Sequence, residues 1–144
     1  MNQENKDLSV IDKAEIDEIV RQFFDLFTNT GGKTPNLWNI KKIFLEDGLI
    51  INNTPEKPAI YNLESFIKPR EEILTNGTLT NFEEWETDSK TEIYGNIAQR
   101  MCRYQKAGEL HGEPFTGKGT KLMQFLKVGG QWRLSSVIWS DGNE

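Results

Sequence analysis

Apolar and polar positions alternate with two different periods along this chain, and the change of period divides it in half. In the first half Ile16, Ile19, Val20, Phe23, Phe24 and Phe27 recur at helical spacing, with Asp17, Glu18, Arg21, Gln22 and Asp25 filling the opposite face. Ser9 or Asp12 is placed to cap this helix, Asp12 with Glu15 approximates a capping box, and Thr28 to Gly32 ends it. Thr34 as cap and Pro35 as first residue predict a second helix, with Leu37, Trp38, Ile40, Ile43 and Phe44 as its apolar positions. Glu46-Asp47-Gly48 reads as a turn into a short strand, Leu49 to Asn52, and Pro55 and Pro58 mark a loop. Asn62 is placed to cap a third helix carrying Phe66, Ile67, Ile73 and Leu74. Pro69 lacks the N–H that would bond to Ser65, which predicts a kink or a restart.

From Leu79 onward the period is two. Segments 80–93, 97–107, 118–128 and 131–140 alternate, separated by Gly95-Asn96, Gly108 to Gly112, and Gly129-Gly130. Long antiparallel strands after three helices predict an α+β domain, helices on one face of a curved sheet. Residues opposed across a hairpin share a face. With Gly129-Gly130 as the loop, Phe125 opposes Leu134, Met123 opposes Ser136 and Lys127 opposes Trp132. With Gly95-Asn96 as the loop, Tyr104 opposes Thr87, Cys102 opposes Ser89, Arg100 opposes Thr91 and Asp88 opposes Arg103. The inner face then collects Trp85, Thr87, Ser89, Ala98, Arg100, Cys102, Tyr104, Met123, Phe125, Trp132, Leu134, Ser136 and Ile138. Glu84, Glu86, Asp88 and Lys90 fall outside. Leu122, Gln124, Leu126, Ser135, Val137 and Trp139 form a second face too apolar for water, which predicts a homodimer through the outer sheet face. A slip of one residue in either hairpin exchanges these faces.

Composition narrows the classes. The chain has 144 residues, enough for one domain, here 9–141 after a disordered tail, 1–8. No apolar run approaches the ~20 residues of a membrane helix, and the polar start, Met1 to Asp7, has no signal-peptide core. A cytoplasmic protein is expected. A net charge of −5 without a basic block disfavours nucleic acid. Cys102 and His111 are each the sole residue of their type, so no disulfide, metal site or cofactor is expected. Gly32-Lys33-Thr34 imitates the end of a phosphate-binding loop, but Phe27 stands where its first glycine belongs.

The Phe-rich first helix, the segment from Trp38 to Asp47-Gly48 leading into Leu49-Ile50-Ile51, "GNIAQRMCRY" and "GKGTKLMQFLKVGGQWRLSSVIW" together resemble the nuclear-transport-factor-2-like superfamily. Within it they look most similar to the SnoaL-like group, related to polyketide cyclases and ketosteroid isomerases. The resemblance covers about residues 10–141 and implies a cone: a bent sheet wraps the helices, a cavity opens at the wide end, and homodimers form through the outer face. Isomerases and cyclases of this kind place an Asp or Glu as base in the cavity. Here the penultimate strand offers Gln124, and the histidine pair of the dehydratases is absent.

The expected pocket residues are Trp38, Tyr61, Trp85, Arg100, Tyr104, Phe125 and Ser136. Trp38 and Tyr61 are placed at its mouth. Small residues such as Ser136 among Trp85, Phe125 and Trp132 leave volume for a ligand, unless Phe23, Phe24 and Phe27 fill it. An inner Arg100 wants a carboxylate partner or an anionic ligand, and with Tyr104 it suits a carboxylate or enolate oxygen, unless it simply reaches water. Glu83, Glu84 and Glu86 form the densest acid cluster, and Asp47 is a further acid in a turn. The expected function is binding of a small, mostly apolar organic molecule, or an anionic one, in the cone. A proton-transfer isomerase or cyclase and a non-catalytic dimeric interaction module stand as alternatives.

Overall fold

The computed structural model describes residues 3–142, with side chains from Leu8 onward. Helix α1 spans Gln3–Asp25. It takes in most of the segment read as a tail, of which residues 1 and 2 lie outside the described residues. Ser9 and Asp12 are therefore inside the helix and do not cap it. Ile16, Ile19, Val20, Phe23 and Phe24 are buried, as their spacing requires. Lys13–Asp17 and Arg21–Glu18 ion pairs occupy the solvent side.

The second helical segment is a 3-10 turn, Leu37–Lys42, preceded by Asn36 without a side-chain cap; Thr34 and Pro35 stay outside it. Leu37 and Ile40 are both fully buried, and a spacing of three suits the tighter helix. Strand β1 spans Phe44–Asn53 and absorbs the predicted turn at Glu46-Asp47-Gly48 as an irregularity between Phe44 and Leu49. Strand β2, Pro58–Tyr61, stands where a loop was expected; Pro58 is its first residue, on the sheet edge, where a missing N–H costs no ladder bond. Helix α2 spans Leu63–Thr75. Asn62 Oδ1 accepts from Ser65 N at 2.8 Å and Ser65 Oγ accepts from Asn62 N at 3.0 Å, a complete capping box. Pro69 neither ends nor restarts it: Pro69 and Ser65 are both exposed, so water can serve the carbonyl that the proline leaves unpaired.

Strands β3 (Leu79–Tyr94), β4 (Ile97–Leu110), β5 (Glu113–Val128) and β6 (Gln131–Asp141) follow as hairpins. The six-stranded sheet has the order β2-β1-β6-β5-β4-β3. Only β1 and β6 run parallel; the other neighbours are antiparallel. The turn between β4 and β5 is His111-Gly112, both at positive φ (51° and 81°), which gives the lone histidine a place in a tight hairpin. The helices cover one face of the sheet, and α1, α2 and that face share one core that includes Phe23, Phe44, Phe66, Met123 and Leu134.

Two register shifts correct the predicted faces. Phe125 opposes Leu134 and Lys127 opposes Trp132 as expected, but Gln124 then opposes Ser136 and Met123 opposes Val137. Ser135 is the extra residue of a bulge. Beyond it Val137 and Trp139 turn inward, while Ser136 and Ile138 turn outward. Cys102, Arg100 and Arg103 pair with Ser89, Thr91 and Asp88 as expected, but Tyr104 opposes Glu86, because Thr87 is extra. Trp85 therefore leaves the inner face and is 38% exposed, whereas Glu84 and Glu86 enter it. A bulge adds one residue to one strand, and a period of two converts that into a change of face. Among the described residues no helix is long and apolar enough to cross a membrane.

Candidate functional site

The inner face is not filled at the end of the sheet where β3, β4 and β5 are longest. A cavity of about 300 Å³ lies there between the sheet, α1 and α2. Phe23, Phe27, Phe66, Phe82, Phe115 and Trp139 are its aromatic lining, and Arg70, Glu84, Lys106, Lys121 and Asp141 are its charged side chains.

Each charged group has an identifiable local cause. The Thr87 bulge points Glu84 inward, where its carboxylate lies 3.2 Å from Lys121 Nζ; the two side chains are only 8% and 5% exposed. Lys121 is surrounded by rings, with its ammonium 4.1 Å from the Tyr104 centroid and 4.8 Å from that of Trp139. Two glycines on β5 make room for the neighbours. A Cβ at Gly117 would stand 2.8 Å from Lys106 Cε, and one at Gly119 would stand 2.5 Å from the Tyr104 hydroxyl. Across Gly119 the Tyr104 hydroxyl donates to Asp141 Oδ1, and Lys106 Nζ lies 3.3 Å from the same oxygen. Burial pushes the Tyr104 phenol well above its usual pKa, helped by the Asp141 bond and by the charges of Asp141 and Glu84. Tyr104 is thus a hydrogen-bond donor at neutral pH and not a base.

Arg70 comes from α2. Its guanidinium lies 3.9 Å from the Phe66 centroid and 5.0 Å from that of Tyr61, and Nη1 donates to Phe66 O at 3.1 Å. Burial lowers its pKa from the ordinary arginine value against the opposing effects of Tyr61 and Glu84. Among the described residues it has no carboxylate within ion-pair distance. Also among them, no three His, Cys, Asp or Glu side chains group as metal ligands would.

None of the seven residues expected at the pocket lines this cavity. Tyr104 and Tyr61 stand behind it, acting on Asp141 and Arg70. Trp38 packs against the core beside the Lys41 ammonium, 5.1 Å from its ring. Phe125 is in the core at 2% exposure. The bulges turn Trp85 and Ser136 off the inner face, and Ser136 Oγ donates to Gln124 Oε1 at 3.3 Å. Arg100 is 5% exposed and lines a separate, more open depression with Trp85, Asp17 and Glu86. It donates to Glu86 through Nη2 and Nε at 2.5 and 3.1 Å, to Asp17 at 2.5 Å and to Thr91 at 3.1 Å. The inner arginine does have carboxylate partners; they are residues of this chain.

The charged residues that do line the cavity escaped the sequence pattern, except for Glu84, which was read as outward. The one available signal was Gly117-x-Gly119 at the start of the alternating segment 118–128; within β5 such glycines mark close approach of something across the strand.

Comparison of the sequence with family models and with curated proteins gives no match; comparison of the structure with solved structures does. LinA superposes with a TM-score of 0.76 at 9% identity, covering 94% of this chain and 88% of that one. A nuclear transport factor 2 (NTF2-like) superfamily protein from Salmonella enterica gives 0.74 at 14% identity, covering 94% of each chain. A protein of unknown function with a cystatin-like fold from Nostoc punctiforme gives 0.69 at 15% identity, covering 93% of each. The six-stranded sheet wrapped on α1 and α2, with its cavity, has the nuclear-transport-factor-2-like fold, the cone that the sequence resemblance implied.

Proposed function

We propose that the cone binds a small, mostly apolar organic molecule. The observation that carries this is the unfilled inner face: about 300 Å³ walled by aromatic rings, with a few charged groups among them. Ligand sites of this type span roughly 300–1,000 Å³ and are mainly apolar with a few placed polar groups, so a compact ring system fits best. A thermal-shift titration with naphthalene derivatives tests it. A ligand at a hundredfold excess over Kd should raise Tm by about 5–10 °C, and a cavity-plugging Leu79→Trp variant should fold and lose the shift. No shift with any of them, together with a Tm raised by the plug, would favour a core that merely packs loosely.

A second reading has its own support. Two carboxylates, Glu84 and Asp141, face the cavity, and a carboxylate can serve as the general base of a proton transfer. Under this reading the isomerase or cyclase alternative predicts exchange of an acidic C–H of a bound cyclic ketone with solvent deuterium, lost in Glu84→Gln or Asp141→Asn. Exchange unchanged in both variants would discard it.

We also propose that a second copy of the chain covers the outer sheet face. Leu122 (55% exposed) lies between Met101 on β4 and Ile138 (41% exposed) on β6, with Ile97 (61% exposed) further along the same face. A two-fold contact needs one self-complementary patch, and this strip supplies it. Sedimentation should report a dimer that Leu122→Lys converts to monomer.

A further inference from the structure

We infer that the molecule bound in the cone is a monoanion, a carboxylate on a planar apolar body, and that Arg70 is the group that holds the carboxylate. This rests on the ligand-binding reading above and specifies it.

The cavity's charges do not cancel. Glu84 is matched by Lys121 at 3.2 Å and Asp141 by Lys106 at 3.3 Å, which leaves Arg70 as the surplus cation. Its position is fixed rather than free. The capping box at Asn62 and Ser65 anchors α2, and the guanidinium is stacked on Phe66 at 3.9 Å with Tyr61 and Trp139 at 5.0 and 5.9 Å. The guanidinium lies over the Phe66 ring, Phe66 O takes one of its N–H groups at 3.1 Å, and the Tyr61 side chain is a further polar neighbour. The remaining N–H groups lie in the guanidinium plane, the geometry in which a carboxylate accepts two parallel bonds. Lysine has no such fork. Burial already disfavours the charge on Arg70, and a bound anion relieves that cost. The apolar wall sets the rest of the ligand: Phe23, Phe27, Phe82 and Phe115 offer ring faces and edges and no hydrogen bonds. A ligand with a second anionic group would find no second unmatched cation among the cavity's charged side chains.

The test compares 1-naphthoate with its neutral isostere 1-naphthamide by calorimetric titration at low salt, on the full chain. The wild type should bind naphthoate at least tenfold more tightly. Arg70→Gln should weaken naphthoate by about 10- to 100-fold, the range for hydrogen bonds to charged groups, and leave naphthamide within about threefold. Arg70→Lys, which keeps the charge without the fork, should lose part of the preference and serves if the glutamine variant does not fold. Lys68→Gln, which removes an exposed cation of the same helix that does not line the cavity, should keep the preference. Equal affinity of the wild type for the two probes would overturn the Arg70 assignment and leave the cavity reading standing. A loss of both probes alike in folded Arg70→Gln, or a preference that survives unchanged in it, would also overturn it. Binding of neither probe to the wild type would remove the cavity reading, and the inference with it.

Discussion

Glu84 and Lys121 form an ion pair that water scarcely reaches, since their side chains are 8% and 5% exposed. Removing one partner strands the other in an aromatic pocket. Glu84→Gln should cost about 3–5 kcal/mol, measured by guanidinium chloride unfolding. The double variant Glu84→Leu/Lys121→Met should recover most of that loss, because neither charge then needs solvation. A single variant costing under about 1 kcal/mol would mean that the pair is wetter than its geometry. Arg100 has the carboxylate partners that an inner arginine wants. Bound to Glu86, Asp17 and Thr91, it should destabilise the fold when changed to alanine, yet leave cavity affinity unaltered. Cys102 is fully buried, and burial pushes its thiol well above the usual pKa, with Glu86 adding to the rise. Its labelling by a disulfide reagent should follow the rate of unfolding; fast labelling of the native protein would contradict this.

Carboxylates hold the first helix to the sheet. Asp12 accepts from Trp132 Nε1 and from Lys127 Nζ, both at 3.0 Å, and Asp17 binds Arg100. Both acids titrate below the usual aspartate range: burial, which on its own raises them, is outweighed by these hydrogen bonds and charges. The unfolded chain therefore takes up protons first as pH falls. The stabilisation is fully present above the unfolded value of about 3.9 and is lost as pH drops through the folded values. Docking of α1 should weaken below about pH 4, read from Trp132 fluorescence, and Asp12→Asn should flatten that dependence. A wild-type profile unchanged down to pH 2 would contradict the linkage.

At the same scale lies the boundary of what the sequence reveals. Period predicts α1 and the four long strands, because burial imposes it on residue after residue, and period with the Asn62 cap predicts α2. The bulges at Thr87 and Ser135 leave no such trace. Neither position carries a glycine or proline, and each extra residue moves the neighbouring side chains to the other face. That is why Trp85 and Ser136 were expected inside and Glu84 outside. Deleting Thr87 should restore plain alternation, expel Glu84, and destabilise the fold through an unpaired Lys121.

The whole molecule joins a widely used cone to a particular interior, and the cone alone implies no chemistry. Here the interior is an aromatic cavity in which two cations are matched by acids and Arg70 is not. Of the four tryptophans, Trp38, Trp85, Trp132 and Trp139, only Trp139 lines it. The most direct test follows the indole N–H resonances by NMR while 1-naphthoate is added. The Trp139 signal should move saturably, together with the amides of Arg70, Leu79 and Phe115, while those of Trp85 and Trp132 stay in place. Shifts confined to Trp85 or to the outer strip of Ile97 and Leu122, or a spectrum that does not change, would contradict a ligand inside the cone.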